Sequence, residues 1–187
     1  MIPIKVLVPS GVLGLGFDLE ALNNGVKNNP DIISIDGGST DSGPYSLGSG
    51  TSKYSRAAIK AEWKSLMIAR EKANVPLVIG SCGTCGTNGM VDWMENITIE
   101  LAEELNQNIR IAKLYCQQEK NFIKKKFQLR KIFPLNPAPI LNDNLIEEMT
   151  NIVALAGAEQ IQECINTGAE IILAGRTTDT AIISALP

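Results

Sequence analysis

Histidine is absent from this sequence of 187 residues. Because histidine is the side chain that ordinarily titrates near neutral pH, its absence excludes serine–histidine and cysteine–histidine catalysis and histidine metal ligation within the chain. Proton transfer here must therefore use aspartate, glutamate, lysine, tyrosine, cysteine or water.

Long apolar runs and a strong charge of one sign are also missing. No apolar run approaches the roughly 18 residues that a membrane-spanning helix needs, and the N-terminus lacks the features of a signal peptide. The net charge of −3 does not favour nucleic acid or an anionic membrane as a partner. We therefore expect a cytoplasmic protein without nucleic-acid or membrane partners, whose four cysteines form no structural disulfides.

Apolar, strand-like segments alternate with helical patterns along the chain. This alternation predicts an α/β fold with an open, mostly parallel sheet, doubly wound in the Rossmann-like manner with helices on both faces. We expect residues 1–187 to form one such domain. The predicted strands are Ile4–Val8, Ile32–Ile35, Leu77–Ile79, Ile109–Leu114, Ile152–Leu155 and Ile171–Ala174. Helices are predicted over about 53–73 and 90–105, with Asp18, and Asn142 or Asp143, as caps of others.

A short phrase occurs twice: an apolar strand followed by glycine, hydroxyl residues and one aspartate. The first copy runs from Ile33 to Asp41 and the second from Ile171 to Asp179. Since open α/β sheets bind ligands at the carboxyl ends of their strands, two such loops predict one composite site, acidic on one side and cationic on the other. The candidate proton-transfer residues are Asp36, Asp41 and Asp179. The candidate binding residues are Gly37, Gly38, Ser39, Thr40, Arg176, Thr177 and Thr178.

Arg176 offers a planar, doubly donating cation that suits a substrate carboxylate or phosphate. Asp179 is open to three interpretations: a base, a partner of Arg176, or the cap of a helix that begins at Thr180.

Two further glycine-rich loops follow predicted strands. The loop over residues 10–18 has the spacing G-x-x-G-x-G rather than a nucleotide-binding motif, so a ligand loop containing Gly11 and a plain tight turn both remain open. The loop over residues 80–88 contains Cys82 and Cys85 as C-x-x-C, which is compatible with thiol redox or iron–sulfur chemistry. Zinc would need further ligands that the sequence does not supply, and we expect no metal site. We favour a ligand loop that contributes Ser81, Cys82 and Gly83.

Together these loops resemble the family named for acyclic terpene utilisation protein A. The residues that carry the resemblance are Pro9 to Asp18, Asp36 to Tyr45, Gly48 to Arg56, Gly80 to Gly83, Val91 to Trp93 and Ala174 to Ala181. The resemblance implies a cytoplasmic protein linked to the breakdown of branched terpenoid acids or other carboxylates. It also implies that this chain is the amino-terminal part of a longer protein. Cys85 stands where the family pattern has a small residue, which argues against C-x-x-C as the essential chemistry.

We therefore expect an enzyme that acts on a small carboxylate or an acyl-thioester, with lyase or hydratase chemistry and no cofactor that the sequence identifies. One alternative is a non-catalytic ligand-binding or scaffold subunit, and another is a C-x-x-C redox or metal-binding protein. We also expect a homo-oligomer, or assembly with a further domain or subunit.

Overall fold

The computed structural model describes residues 3–38 and 43–186 of the chain. In these ranges five parallel strands form one sheet in the order β1-β2-β3-β5-β4, which confirms the predicted α/β class. The strands are β1 (Val6–Leu7), β2 (Ile32–Asp36), β3 (Leu77–Gly80), β4 (Ile111–Leu114) and β5 (Ile171–Ala174).

Helices connect these strands and cover the sheet. They are α1 (Leu19–Lys27), α2 (Tyr45–Ser49), α3 (Arg56–Ala73), α4 (Asn88–Leu105), α5 (Lys120–Gln128), α6 (Asp143–Glu148), α7 (Ala158–Asn166) and α8 (Ala181–Ser184). Two predicted caps are confirmed: Asp18 accepts backbone N–H groups at the start of α1, and Asn142 accepts one at the start of α6. No helix of the described residues is long and apolar enough to cross a membrane.

The three central strands are buried on both faces, because successive side chains of a strand point to opposite sides. Odd-numbered strand residues such as Ile33, Leu77 and Ile171 pack with α1, α3 and α4. Even-numbered residues such as Val78 and Ile172 pack with α7 and α8 on the other face. The continuous apolar runs seen in the sequence reflect this two-sided burial.

The strand order places a topological switch point between β3 and β5. The helix that follows β3, α4, lies on one face, whereas the helix that follows β5, α8, lies on the other. Since β3 and β5 are neighbours, their two connections diverge at the carboxyl ends of the strands. Open α/β sheets bind ligands at such a switch point, although this strand order differs from that of the dinucleotide-binding fold.

One predicted strand is wrong. Residues 152–155 form no strand of the sheet, and this stretch has only isolated bridges, such as the one from Val153 to Gln117. Its backbone instead bonds to the loop after β4, where Ala154 N–H donates to the Cys116 carbonyl at 2.8 Å, and then Ala156 N–H donates to the Arg176 carbonyl at 2.9 Å. The apolar run is therefore a strap (residues 152–156) that crosses the carboxyl ends of β4 and β5.

Candidate functional site

The loop between β3 and α4 lies between the two copies of the repeated phrase. A side chain on Gly37, in the first copy, would come within 2.5 Å of the Ser81 carbonyl oxygen. A side chain on Gly175, in the second copy, would come within 2.8 Å of the Gly86 carbonyl oxygen. The glycine that the two copies share is therefore the position at which the backbone of this central loop passes close by.

Backbone hydrogen bonds fasten the central loop on both sides. Ser81 N–H donates to the Gly175 carbonyl at 2.8 Å, and Thr84 N–H donates to the Gly37 carbonyl at 3.1 Å. The loops that follow β2, β3 and β5 are thus held together at the carboxyl ends of their strands.

The central loop holds non-glycine residues in the left-handed region of backbone conformation. Ser81 has φ 49° and Thr84 has φ 70°, alongside Gly83 at 58° and Gly86 at 66°. A β-branched residue such as threonine is a true outlier there, and each such residue costs on the order of 1–3 kcal/mol unless its surroundings impose the conformation. Strain of this kind is concentrated at functional sites, which supports this loop as the centre of one.

Thr84 is a central residue of the site that the sequence did not single out. Its hydroxyl accepts the Lys53 N–H at 3.1 Å, and its carbonyl accepts Nη1 of Arg176 at 3.2 Å. A side chain on Gly38 would come within 2.8 Å of the Thr84 Cα. Only contacts between residues far apart in the chain reveal this role; the sole local signal is its place in a glycine-rich loop.

Arg176 spans the first and central loops. Its Nη1 donates to the Gly38 carbonyl at 3.3 Å and to the Thr84 carbonyl at 3.2 Å. The half-buried guanidinium is thereby held at the carboxyl end of β2 and β3, where its charge also reaches Asp36. The structure brings these two predicted site residues together.

Asp36 ends β2 and is only 7% exposed. Burial, and then the negative charge of Asp179, raise the pKa of Asp36 to about 6, while the Gly38 N–H, Arg176 and the Ser81 hydroxyl act in the opposite direction. Among the described residues, its Oδ1 atom has no hydrogen-bond partner. The carboxyl group can therefore exchange a proton near neutral pH.

Thr177 lies beside Asp36 with its hydroxyl inside the protein. The residue is 1% exposed, and its Oγ1 has no partner among the described residues. That oxygen lies 2.2 Å from the place where a side chain on Gly80 would begin. Ser81 Oγ donates to the Thr177 carbonyl at 3.4 Å, so Ser81, Thr177 and Asp36 form one buried polar group.

Asp179 lies at the head of α8 with an exposed side chain. The Ala181 N–H at this helix start donates at 3.1 Å to the Thr178 hydroxyl, so Thr178 supplies the capping bond considered for Asp179. This leaves the carboxylate of Asp179 near Asp36, on which its charge acts.

The glycine loop after β1 is fixed internally. Gly14 N–H and Gly16 N–H donate at 2.7 and 2.8 Å to the two carboxylate oxygens of Glu62 in α3. Leu13 N–H donates to the Asp36 carbonyl at 2.8 Å, which attaches the loop to the end of β2. These donors are occupied, which favours the tight-turn interpretation, and Gly11 lies exposed at the start of the loop.

The two loop cysteines are buried. Cys82 packs in the core between the sheet and α4, where burial raises the pKa of its thiol, and its N–H donates to the Ala174 carbonyl at 3.0 Å. Cys85 Sγ lies 3.5 Å from the Thr87 hydroxyl. A reactive cysteine needs an exposed, stabilised thiolate, so Cys82 does not fit the redox alternative. Gly83 packs against Met90, because a Cβ added to Gly83 would lie 2.5 Å from the Met90 Sδ atom.

Three predicted site residues, Ser39, Thr40 and Asp41, lie outside the described residues. Over residues 3–38 and 43–186, no group of three or more cysteine, aspartate or glutamate side chains is arranged to hold a metal ion.

A polar cavity of about 310 Å³ opens at the same edge of the sheet, beyond β4. Its lining residues are Gln117, Gln118, Glu119, Lys120, Asn121, Glu147, Thr150 and Ile152. The strap reaches from this cavity, at Ile152, to the backbone of Arg176, at Ala156. The strap therefore connects the cavity to the site, and hydrogen bonds between Gln117 and Asn88 add a second connection.

Comparison with known proteins gives one finding. The model of a family described as acyclic terpene utilisation family protein AtuA matches residues 45–186. That range contains the central loop and the second copy of the phrase, whereas Asp36 precedes it. No curated protein and no solved structure was found to match the chain.

Proposed function

This chain belongs to the acyclic terpene utilisation family AtuA, and we propose that it is a cytoplasmic enzyme that adds water to, or removes it from, a small carboxylate or its acyl-thioester. The observation that carries the proposal is the meeting of a buried carboxyl, Asp36, with a second carboxyl and a cation at a switch point of the sheet. Two carboxyl groups in different environments are the usual means of dividing acid and base roles when histidine is absent.

Arg176 is proposed to bind the carboxylate of the substrate. Its guanidinium forms charge-assisted hydrogen bonds with planar oxyanions, and backbone carbonyls of Gly38 and Thr84 fix its position. The charge of Arg176 already lowers the pKa of Asp36, so a carboxylate bound to Arg176 is proposed to place the substrate beside Asp36.

Asp36 and Asp179 are proposed to move the protons. Dehydration removes a hydrogen from the carbon next to the carboxyl group and a hydroxyl from the following carbon, so one group must accept a proton and another must donate one. Asp36, with a pKa of about 6, suits the donor because a useful fraction of it is protonated at neutral pH. The exposed carboxylate of Asp179 then accepts the proton from carbon. Asp41 remains a further candidate for this role.

The polar cavity beyond β4 is proposed to take the more distant part of the substrate. It opens at the same sheet edge and its lining amides and hydroxyl suit a polar thioester arm. The family description points to acyclic terpene utilisation, and we propose branched terpenoid acids as the substrate class.

The experiment is a turnover assay of the full chain with branched, unsaturated acyclic acids and their coenzyme A thioesters. Proton NMR in D₂O detects both the added water and the deuterium placed on the neighbouring carbon. We expect Asp179→Asn to lower turnover by about 100-fold to 10,000-fold, the range typical of acid–base groups, and Arg176→Gln to lower it through weaker binding of the substrate carboxylate. Arg130→Gln, an exposed arginine beyond α5, is the matched control.

Turnover that is equal in the wild type and in both site variants would contradict these roles. Tight binding of an acid without any exchange or hydration would instead identify a non-catalytic ligand-binding subunit.

A further inference from the structure

We propose that the Asp36 carboxyl and the Thr177 hydroxyl together form a niche for one hydroxyl group of the substrate, so that the preferred substrate is a β-hydroxy acid or its dehydration product. This inference rests on the proposed function and specifies which part of the substrate each end of the site takes. Arg176 holds the carboxylate, and the niche holds the hydroxyl that leaves as water.

Sheet geometry makes the two oxygens neighbours. Asp36 pairs with Gly80 across β2 and β3, and paired residues of adjacent strands, about 4.8 Å apart, point to the same face. Gly80 has no side chain, and Thr177 Oγ1 lies 2.2 Å from where one would begin. The threonine hydroxyl thus occupies the position next to the Asp36 side chain, on the face covered by α8.

Both oxygens lack a hydrogen-bond partner within the described ranges, and both residues are more than nine-tenths buried. Leaving a buried polar atom unpaired costs about 1–3 kcal/mol, so two adjacent ones indicate a ligand position. Of the neighbouring hydroxyls, that of Ser34 donates to the Ile182 carbonyl at 2.6 Å, whereas that of Ser81 lowers the pKa of Asp36 and lies 3.4 Å from the Thr177 carbonyl.

The chemistry of the pair selects a hydroxyl. The carboxyl group accepts when ionised and donates when protonated, and the threonine hydroxyl can do either, so a substrate hydroxyl, which both donates and accepts, satisfies the pair in both protonation states of Asp36. An ammonium group is disfavoured because the positive charge of Arg176 already acts at Asp36. A bulkier group is disfavoured because Ile182 Cγ2 lies 2.9 Å from the same Gly80 side-chain position.

Protonated Asp36 donates its proton to the hydroxyl oxygen, and the carbon–oxygen bond breaks with its electron pair on the departing water. Asp179 accepts the proton of the neighbouring carbon, whose bonding electrons form the double bond. Addition of water follows the same path in reverse.

The test measures binding, so that it does not depend on turnover. Isothermal titration of the full chain compares 3-hydroxybutyrate, butyrate and 3-aminobutyrate as probes. We expect the wild type to bind the hydroxy acid at least about 10-fold more tightly than butyrate, which corresponds to about 1.4 kcal/mol. Thr177→Val should remove that preference and Thr177→Ser should keep it. Thr167→Val, at the exposed end of α7, is the control and should also keep it.

Equal binding of hydroxybutyrate and butyrate by the wild type, including no binding of either, would overturn the proposal. So would an unchanged preference in Thr177→Val, or tighter binding of the amino acid. A hydroxyl preference without any turnover would refute only the proposed reaction, whereas turnover without the preference would refute only the niche.

Discussion

At the scale of single residues, Asp36 combines burial with a neighbouring negative charge, and both raise its pKa to about 6 from an ordinary value of 3.8. The folded protein therefore binds a proton that the unfolded chain releases between these two pH values. The contribution of this group to stability is complete below about pH 4 and is lost as the pH rises through 6. A shift of this size corresponds to about 3 kcal/mol at most.

Asp36→Asn removes the ionisation and should reverse this loss. We expect the variant to gain stability relative to the wild type as the pH rises from 4 to 7, reaching an advantage of about 2–3 kcal/mol. Urea unfolding at a series of pH values measures the difference. A difference in unfolding free energy between the two proteins that stays constant from pH 4 to 7 would refute the raised pKa of Asp36.

Site residues that lie in sequence motifs could be predicted. Residues whose role depends on contacts between distant parts of the chain could not. Asp36 and Arg176 follow strands in a repeated phrase, and they do lie together. Thr84 and Glu62 were missed because their importance arises from hydrogen bonds to residues up to 92 positions away in the chain. No local pattern of residue types reports such contacts.

At the scale of secondary-structure elements, the loop between β3 and α4 depends on the absence of a side chain at Gly86. A Cβ there would lie 2.3 Å from the Arg176 backbone nitrogen, and φ is +66°. Gly86→Ala should therefore destabilise the protein by about 1–3 kcal/mol and separate the two loops.

Gly89→Ala is the matched control, because this glycine lies in α4 with no atom within 4 Å of the new Cβ. We expect it to be neutral or to stabilise by up to about 1 kcal/mol, as alanine does in helices. Thermal unfolding of both variants gives the comparison. Similar effects of the two substitutions would argue against the close approach of Gly86 to Arg176.

A second element-scale feature is the attachment of α3 to the start of β5. Arg70 is almost fully buried; its Nη2 lies 2.8 Å from Glu170 and its Nη1 lies 2.6 Å from Glu71. Removing Glu170 leaves the buried Arg70 charge with Glu71 as its remaining partner, whereas an apolar replacement of Arg70 of similar shape removes the charge. We expect Glu170→Gln to cost about 1.5–3 kcal/mol in the free energy of unfolding, the range for hydrogen bonds to charged groups, and Arg70→Met to cost less. The reverse order in urea unfolding would contradict this account.

Secondary structure was predictable where an apolar run and its burial coincide, as in β5, whose bounds match the prediction. The apolar run at 152–155 was wrongly predicted to be a strand, because periodicity cannot distinguish a buried strand from a segment that crosses strand ends. Leu155 is in fact 58% exposed. The prediction also extended β1 to Ile4–Val8, whereas only Val6–Leu7 pairs with β2 at the sheet edge.

At the scale of the whole molecule, charge and exposed apolar groups are unevenly distributed. Residues 120–131 contain six lysines and arginines and no acidic residue, although the chain as a whole has a net charge of −3. They lead into an arm, residues 129–141, in which Phe133, Leu135 and Ile140 are 73%, 86% and 87% exposed. Apolar side chains exposed together in this way usually mark a contact surface.

A groove of about 850 Å³ lies beside the edge strand β4. Its floor includes Ile111, Ala112 and Leu114, and its rim on α7 includes Glu159 and Glu163. Within the described sheet, β4 pairs only with β5, so its outer edge is open to an added extended segment. Apolar and acidic features in the groove match apolar and basic features of the arm, and we propose that the arm of one copy binds the groove of a second copy.

The native Cys164 provides the test, because it lines the groove. Phe133→Cys, treated with a mild thiol oxidant, should give a disulfide-linked dimer on a non-reducing gel, and the same variant with Cys164→Ser should give much less. Without oxidant, Phe133→Ser combined with Leu135→Ser should lower the mass measured by light scattering from that of an oligomer to that of a monomer. A wild type that is monomeric at all concentrations, or a disulfide formed within one chain, would refute association through this surface. A dimer that persists in the double serine variant would place the interface elsewhere, since loss of these two apolar anchors should abolish a contact that depends on them.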